Sequence, residues 1–134
     1  NSAVVIPHIA VRTLLSLNAG EAAVAAIGGP DTNGALWTLR YIHDEKVVDG
    51  LIKKFASISD KTLGNKVLSV LIRQYQEETP YDGSYWWSTR PDTRGPVFKP
   101  QKWAGSDKIA SFIKGEYDKA DPENGTRIRP NSLR

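Results

Sequence analysis

The side chains best suited to engage another molecule are concentrated in one stretch, Tyr81-Asp82-Gly83-Ser84-Tyr85-Trp86-Trp87-Ser88-Thr89-Arg90-Pro91-Asp92-Thr93-Arg94-Gly95-Pro96-Val97-Phe98-Lys99-Pro100. Tyr85, Trp86 and Trp87 bring three adjacent rings, with Tyr81 just before them, and Arg90 and Arg94 bring two guanidinium forks. Aromatic residues and Arg dominate the hot spots of protein interfaces. Two forks this close can also hold a carboxylate or phosphate bidentately. Tyr85, Trp86, Trp87, Arg90 and Arg94 are therefore the candidate binding residues, as an anchor for a neighbouring domain or as a platform on which sugar rings stack. A structural role competes with both. The rings could be buried as a cap, with Asp92 pairing with an arginine and a guanidinium stacking on Trp86 or Trp87 to pin the turn.

Other chemistry is sparse. His43 lies beside Asp44 between two apolar segments, where an imidazole caps a helix end. Asp44, Glu45 and Asp49 fall at a helix start, where acids complement the dipole. The chain has no cysteine, which excludes disulfides, thiolate metal sites, covalent haem attachment and a Cys nucleophile. It holds no phosphate-loop, dinucleotide or H-E-x-x-H signature. Asn124-Gly125-Thr126 matches a glycosylation triplet. No catalytic residue, metal site or cofactor follows from this segment, so a non-catalytic role is favoured.

The elements that position these residues change character along the chain. Residues 1–78 read as short helices. Val11, Leu14, Leu15 and Leu17 have the spacing of one apolar helix face, and Ala22, Ala23, Ala26 and Ile27 form a second. Gly28-Gly29-Pro30-Asp31 stops the pattern. It restarts with Leu36, Leu39 and Ile42, turns at His43-Asp44, and continues through Val47, Val48, Leu51, Ile52 and Phe55. The two units superpose at an offset of 25 residues, with Leu14 on Leu39, Ala23 on Val48 and Ala26 on Leu51. Asp60 reads as the N-cap of a longer helix carrying Leu63, Val67, Leu68, Val70, Leu71, Ile72 and Tyr75. Beyond Thr79-Pro80 the period is lost. Pro91, Pro96 and Pro100 exclude a helix interior and press the residues before them into extended conformations. Ser106 is a plausible N-cap for a last helix over 108–119 with Ile109, Phe112 and Ile113 on one face. The organisation expected is thus helical repeats over 1–78, an aromatic and proline-rich strap over 79–104, a helix over 105–120 and a tail or linker over 121–134.

Composition agrees with one globular domain. Hydrophobic residues make up 40% and charged residues 25% of the 134, and no apolar run approaches the ~20 residues of a membrane span. The net charge of +3 lies wholly in the second part: residues 1–78 carry 8 basic and 8 acidic side chains, residues 79–134 carry 10 and 7. The chain opens on Asn1-Ser2-Ala3 within a running pattern and contains no Met, which reads as a piece of a larger protein.

Gly34-Ala35-Leu36-Trp37-Thr38-Leu39-Arg40-Tyr41-Ile42-His43-Asp44 followed by Val47-Val48 resembles a HEAT repeat, and the resemblance covers about residues 7–77. It implies an all-α, HEAT-like solenoid in which each helix pair buries its face against its neighbours. It implies little about activity, since such folds mostly act as scaffolds. Together with the Trp86-Trp87-Ser88-Thr89-Arg90-Pro91-Asp92-Thr93-Arg94-Gly95-Pro96 string, the block is similar to a segment of large multidomain bacterial proteins. Those also carry c-type cytochrome or sugar-oxidising, membrane-bound dehydrogenase modules. That resemblance implies an extracytoplasmic location and domain neighbours as partners. Because no C-x-x-C-H is present, any haem would belong to other parts of such a protein. A basic helical solenoid also resembles the DNA-binding HEAT-like alkylpurine glycosylases, but neutral repeats and an excess of three charges are too little for a phosphate track. The expectation is a scaffold or docking module, with the strap closing an otherwise open stack.

Overall fold

The computed structural model describes residues 2–80, 88–89, 96–97 and 99–120. Six helices occur among them: α1 (Ser2–Ser16), α2 (Gly20–Ala26), α3 (Thr32–Leu39), α4 (Glu45–Ser57), α5 (Lys61–Gln74) and α6 (Ser106–Ala120). The protein is mostly helical, in keeping with an all-α class. No helix among the described residues is long and apolar enough to cross a membrane.

The stops and starts follow local chemistry. Gly28 ends α2 at φ 96°, a left-handed conformation open to glycine at little cost, and its N–H donates to Thr32 Oγ1 at 2.9 Å. Asp44 caps α4 by accepting from the Lys46 N–H at 2.9 Å, and Asp60 caps α5 by accepting from the Thr62 N–H at 3.0 Å. Ser106 differs from expectation. It is the first residue of α6, and its buried hydroxyl donates to the Tyr75 carbonyl at 2.6 Å rather than capping its own helix.

Helices two apart in sequence pack side by side: α1 against α3, α3 against α5, and α2 against α4; α2 also packs on α3, and α5 on both α4 and α6. Gly20 allows the approach of α2 to α4, because a Cβ there would stand 2.5 Å from Val47 Cγ2. The core lies between these rows, with Leu39, Val48, Leu51, Val67, Leu71 and Ile109 fully buried. The Phe55 and Phe112 rings meet edge to face at 5.5 Å, and Lys108 bridges Asp49 at 2.9 Å, fastening α6 to α4.

The apolar faces read from spacing hold for α3 to α6 with one exception, Ile72, which is 55% exposed on α5. They hold less well for α1 and α2. Leu14 and Leu17 point outward, and Ala22 is exposed while Val24 packs on the core. Leu39, the 25-residue counterpart of Leu14, is buried because α3 has neighbours on both flanks, whereas α1 packs chiefly on α3.

Among the described residues after α5 are four two-residue strands. β1 (Glu77–Glu78) pairs antiparallel with β4 (Pro100–Gln101), and β2 (Ser88–Thr89) pairs antiparallel with β3 (Pro96–Val97). The residue pattern of this stretch predicts no strand, because two residues are too few to leave a period.

Candidate functional site

The side chains singled out in the sequence, Tyr85, Trp86, Trp87, Arg90 and Arg94, lie outside the described residues, as do Tyr81, Asp92 and the sequon at Asn124. The structure does give the root of the segment that bears the first group. Glu77 pairs with Gln101 and Glu78 with Pro100. The Thr79 N–H donates to the Lys99 carbonyl at 2.8 Å, and Gln101 Nε2 donates to Glu77 Oε1 at 2.9 Å. The stretch thus leaves the end of α5 and returns to the same place, two residues before Trp103.

Around that root the structure assembles a polar network that the sequence did not announce. A helix ends with carbonyls that have no partner in the helix itself. At the end of α5, three consecutive carbonyls are met by side chains from other segments. The Trp103 indole N–H donates to the Gln74 carbonyl at 2.6 Å, the Ser106 hydroxyl to the Tyr75 carbonyl at 2.6 Å, and His43 Nε2 lies 2.9 Å from the Gln76 carbonyl. Since a carbonyl only accepts, Nε2 carries the proton in that bond. His43 thus caps a helix end, but the end belongs to α5 and not to its own neighbours.

Gln74 extends the network to α3. Its side chain is fully buried, and Nε2 donates to the carbonyls of Leu39 at 2.6 Å and Ile42 at 3.0 Å. Its Oε1 is buried with no hydrogen-bond partner among the described residues. Trp103 is gripped on several sides. Its backbone N–H donates to Ser106 Oγ at 2.9 Å, and its ring meets His43 edge to face at 5.3 Å. A Cβ on Gly105 would collide with the indole, so glycine is what lets the ring lie there.

Beside this network opens a cleft of about 610 Å³, lined by Leu15, Asn18, Tyr41, Ile42, His43, Asp44, Glu45, Trp103 and Ala104. That volume falls within the ~300–1,000 Å³ typical of ligand pockets. Its walls come from the α1–α2 turn, the α3–α4 turn and the segment before α6. The first turn is set by Asn18, which takes φ 50°, a conformation that Asn tolerates better than most residues. Tyr41 also meets Trp37 edge to face at 6.4 Å, with the Arg40 guanidinium 4.9 Å from the Trp37 ring centre. The Lys102 ammonium is held protonated above its ordinary range by a hydrogen bond with Tyr75 and, after it, by Asp107 at 3.6 Å.

Chemically the cleft offers three rings, Tyr41, His43 and Trp103, beside two carboxylates, Asp44 and Glu45. A cation is attracted both to ring faces and to carboxylates. No group of three or more His, Asp or Glu side chains among the described residues could hold a metal ion. The sequence reveals neither Trp103 and Gln74 nor the contact that Ser106 makes, because their partners lie 29 to 35 residues away. A Trp preceding a glycine and a helix start was the one local signal. No family model, curated protein or solved structure matches the chain.

Proposed function

We propose that this chain is a non-catalytic docking module, built as a HEAT-like stack of helix pairs, that receives a cationic side chain of a protein partner in the cleft beside Trp103. Three features support the stack: the 25-residue offset in the sequence, the packing of helices two apart, and the placement of α6 against both α4 and α5. The observation that carries the docking role is the cleft itself. His43, Trp103 and Ser106 are committed to the end of α5, so two of its three rings are held in place before any ligand arrives. Preorganised walls lower the ordering cost of binding. A neighbouring domain of a longer protein or a separate protein would serve equally as partner, and Tyr85, Trp86, Trp87, Arg90 and Arg94 remain candidate contacts by residue type.

The test uses short peptides as probes. The Trp103 indole N–H signal, assigned in nuclear magnetic resonance spectra by its loss in Trp103→Phe, is followed while an arginine-bearing peptide or its citrulline counterpart is added. The arginine peptide is expected to shift the signal, the citrulline peptide much less. Asp44→Asn with Glu45→Gln should weaken the shift, and because Asn caps a helix as well as Asp, the fold should survive. Equal shifts from both peptides, or none from either, would reject a cationic ligand.

A further inference from the structure

Charge is divided between the two rows of helices. Every acidic residue within the six helices lies in α2, α4 or α6, whereas α1, α3 and α5 contain none. That acid-free row carries Arg12, Lys61, Lys66 and Arg73, with Arg40 directly after α3. The neutrality of residues 1–78 is thus a sum over two unlike layers.

Helix register brings two of these arginines to one place. Lys66 Nζ donates to Asn33 Oδ1 at 3.4 Å, which sets residue 33 of α3 beside residue 66 of α5. Further along, Gln74 reaches the Ile42 carbonyl and His43 the Gln76 carbonyl, offsets of 32 and 33 residues. The two helices therefore run parallel in constant register. Arg40 still has helical dihedrals, φ −58° and ψ −22°. Seven residues make about two helical turns, so Arg40 and Arg73 repeat the placement of Asn33 and Lys66 across the same seam. Axes of packed helices stand about 8–10 Å apart, a span that two arginine side chains bridge easily.

Neither arginine is neutralised. Arg40 is half-buried with its guanidinium 4.9 Å from the Trp37 ring centre, and Arg73 is exposed. Among the described residues neither pairs with a carboxylate. The acids four positions on from each are engaged elsewhere: Asp44 accepts from the Lys46 N–H, and Glu77 accepts from Gln101 Nε2. Two guanidiniums side by side repel each other and gain from an anion held between them.

We infer that Arg40 and Arg73 form a subsite for a carboxylate side chain of the protein partner, beside the cleft that takes its cation. For the cation this rests on the docking role proposed above; the carboxylate subsite stands on the register of α3 and α5. Tyr41 follows Arg40 in the chain and lines the cleft, so the two subsites share a wall. The recognised segment therefore carries one acidic and one basic residue a few positions apart. The alternation of sign selects this partner. A nucleic-acid strand leaving the arginines along the seam would run into Asp44 and Glu45, which repel phosphate. A peptide with one charge of each sign meets its opposite at both ends.

The probes are short peptides in which one Glu and one Arg are separated by one to four residues, spans of about 7–17 Å when extended. The Trp37 indole N–H signal, assigned by its loss in Trp37→Phe, reads the carboxylate subsite, and that of Trp103 reads the cleft. At one spacing or more, both signals should shift together. Replacing the peptide Glu by Gln should weaken binding about 10-fold and remove the Trp37 shift while keeping that of Trp103. Arg73→Gln, at an exposed site, should retain the fold by circular dichroism and bind the Glu peptide no better than the Gln peptide. A Trp37 signal that answers both peptides equally, or an affinity indifferent to Arg73→Gln, overturns the inference and leaves the cleft untouched. Trp37 shifts that need the peptide Glu but not its Arg support the carboxylate subsite and reject the cleft. A phosphoserine peptide or an oligothymidylate that shifts Trp37 where no Glu peptide does overturns the inference in favour of phosphate.

Discussion

Replacing Gln74 probes the joint that ties α3, α5 and Trp103 together. Gln74→Leu keeps a similar volume but removes the two hydrogen bonds to the Leu39 and Ile42 carbonyls. Only the Ile42 carbonyl is then orphaned, at about 1–3 kcal/mol, because the Leu39 carbonyl keeps the Ile42 N–H at 3.2 Å, and release of the unpartnered Oε1 returns part of that cost. The net cost should be about 1 kcal/mol. Gln74→Glu is the sharper perturbation, because an ionised carboxyl would face two carbonyls with nothing to donate. Burial raises a carboxyl above its ordinary pKa of about 4.3, so the side chain folds protonated. Holding it neutral at pH 7 costs about 3–4 kcal/mol at 1.36 kcal/mol per unit. The single O–H then serves the Ile42 carbonyl, and the Leu39 carbonyl loses one of its two donors at about 1 kcal/mol, for a total of about 4–5 kcal/mol. A raised folded-state pKa places the penalty at high pH, so it should shrink to about 1 kcal/mol as the pH falls towards 4.3. Urea unfolding followed by circular dichroism at pH 7 and pH 4.5, each variant against the parent at the same pH, reads both numbers. A Gln74→Glu chain as stable as the parent at pH 7, or one whose deficit does not change with pH, would refute the assignment of Gln74 as the donor that closes α3.

Three further outcomes are expected. Gly105→Ala drives a methyl group into the Trp103 indole and should cost about 1–3 kcal/mol, with a shifted Trp103 indole signal; an unshifted signal would show that the ring has room. Leu39→Ala should cost about 2–5 kcal/mol as a core cavity, but Leu14→Ala, at the equivalent and half-covered position of α1, should cost under about 1.5 kcal/mol; equal losses would contradict the packing of α1. Asp60→Ala should cost about 1 kcal/mol through loss of the cap on α5, with Asp60→Asn nearly neutral, as judged by thermal melting.

What could be read in the sequence was local or periodic. Asp44 and Asp60 announce helix starts because a carboxylate two residues ahead of an N–H needs no distant partner. Leu36, Leu39, Val48 and Leu51 announce a core because their spacing is that of a helix face. Periodicity cannot say how many neighbours a helix has. Leu14 and Leu39 therefore look alike in sequence and differ in burial, and Ile72 looks buried but is not. The site was the least legible part. His43 reads as the cap of a helix end, but nothing local says that the end is at Gln76, and the contacts of Gln74, Ser106 and Trp103 span some thirty residues. The binding chemistry read at Tyr85, Trp86, Trp87, Arg90 and Arg94 rests on residue type alone.

The pairing of β1 with β4 has a consequence for how this protein can vary. Because Glu77, Thr79, Lys99 and Gln101 hold the two chain ends together, the helices on either side are insulated from the length of what lies between. Closing a longer loop is cheap, about 0.6 kcal/mol for each doubling. A shortened, lengthened or wholly exchanged insert between positions 80 and 98 should leave α5, Trp103 and α6 in register. The root thus uncouples the helical body from the sequence between its two ends, so that sequence can change without redesigning the helices.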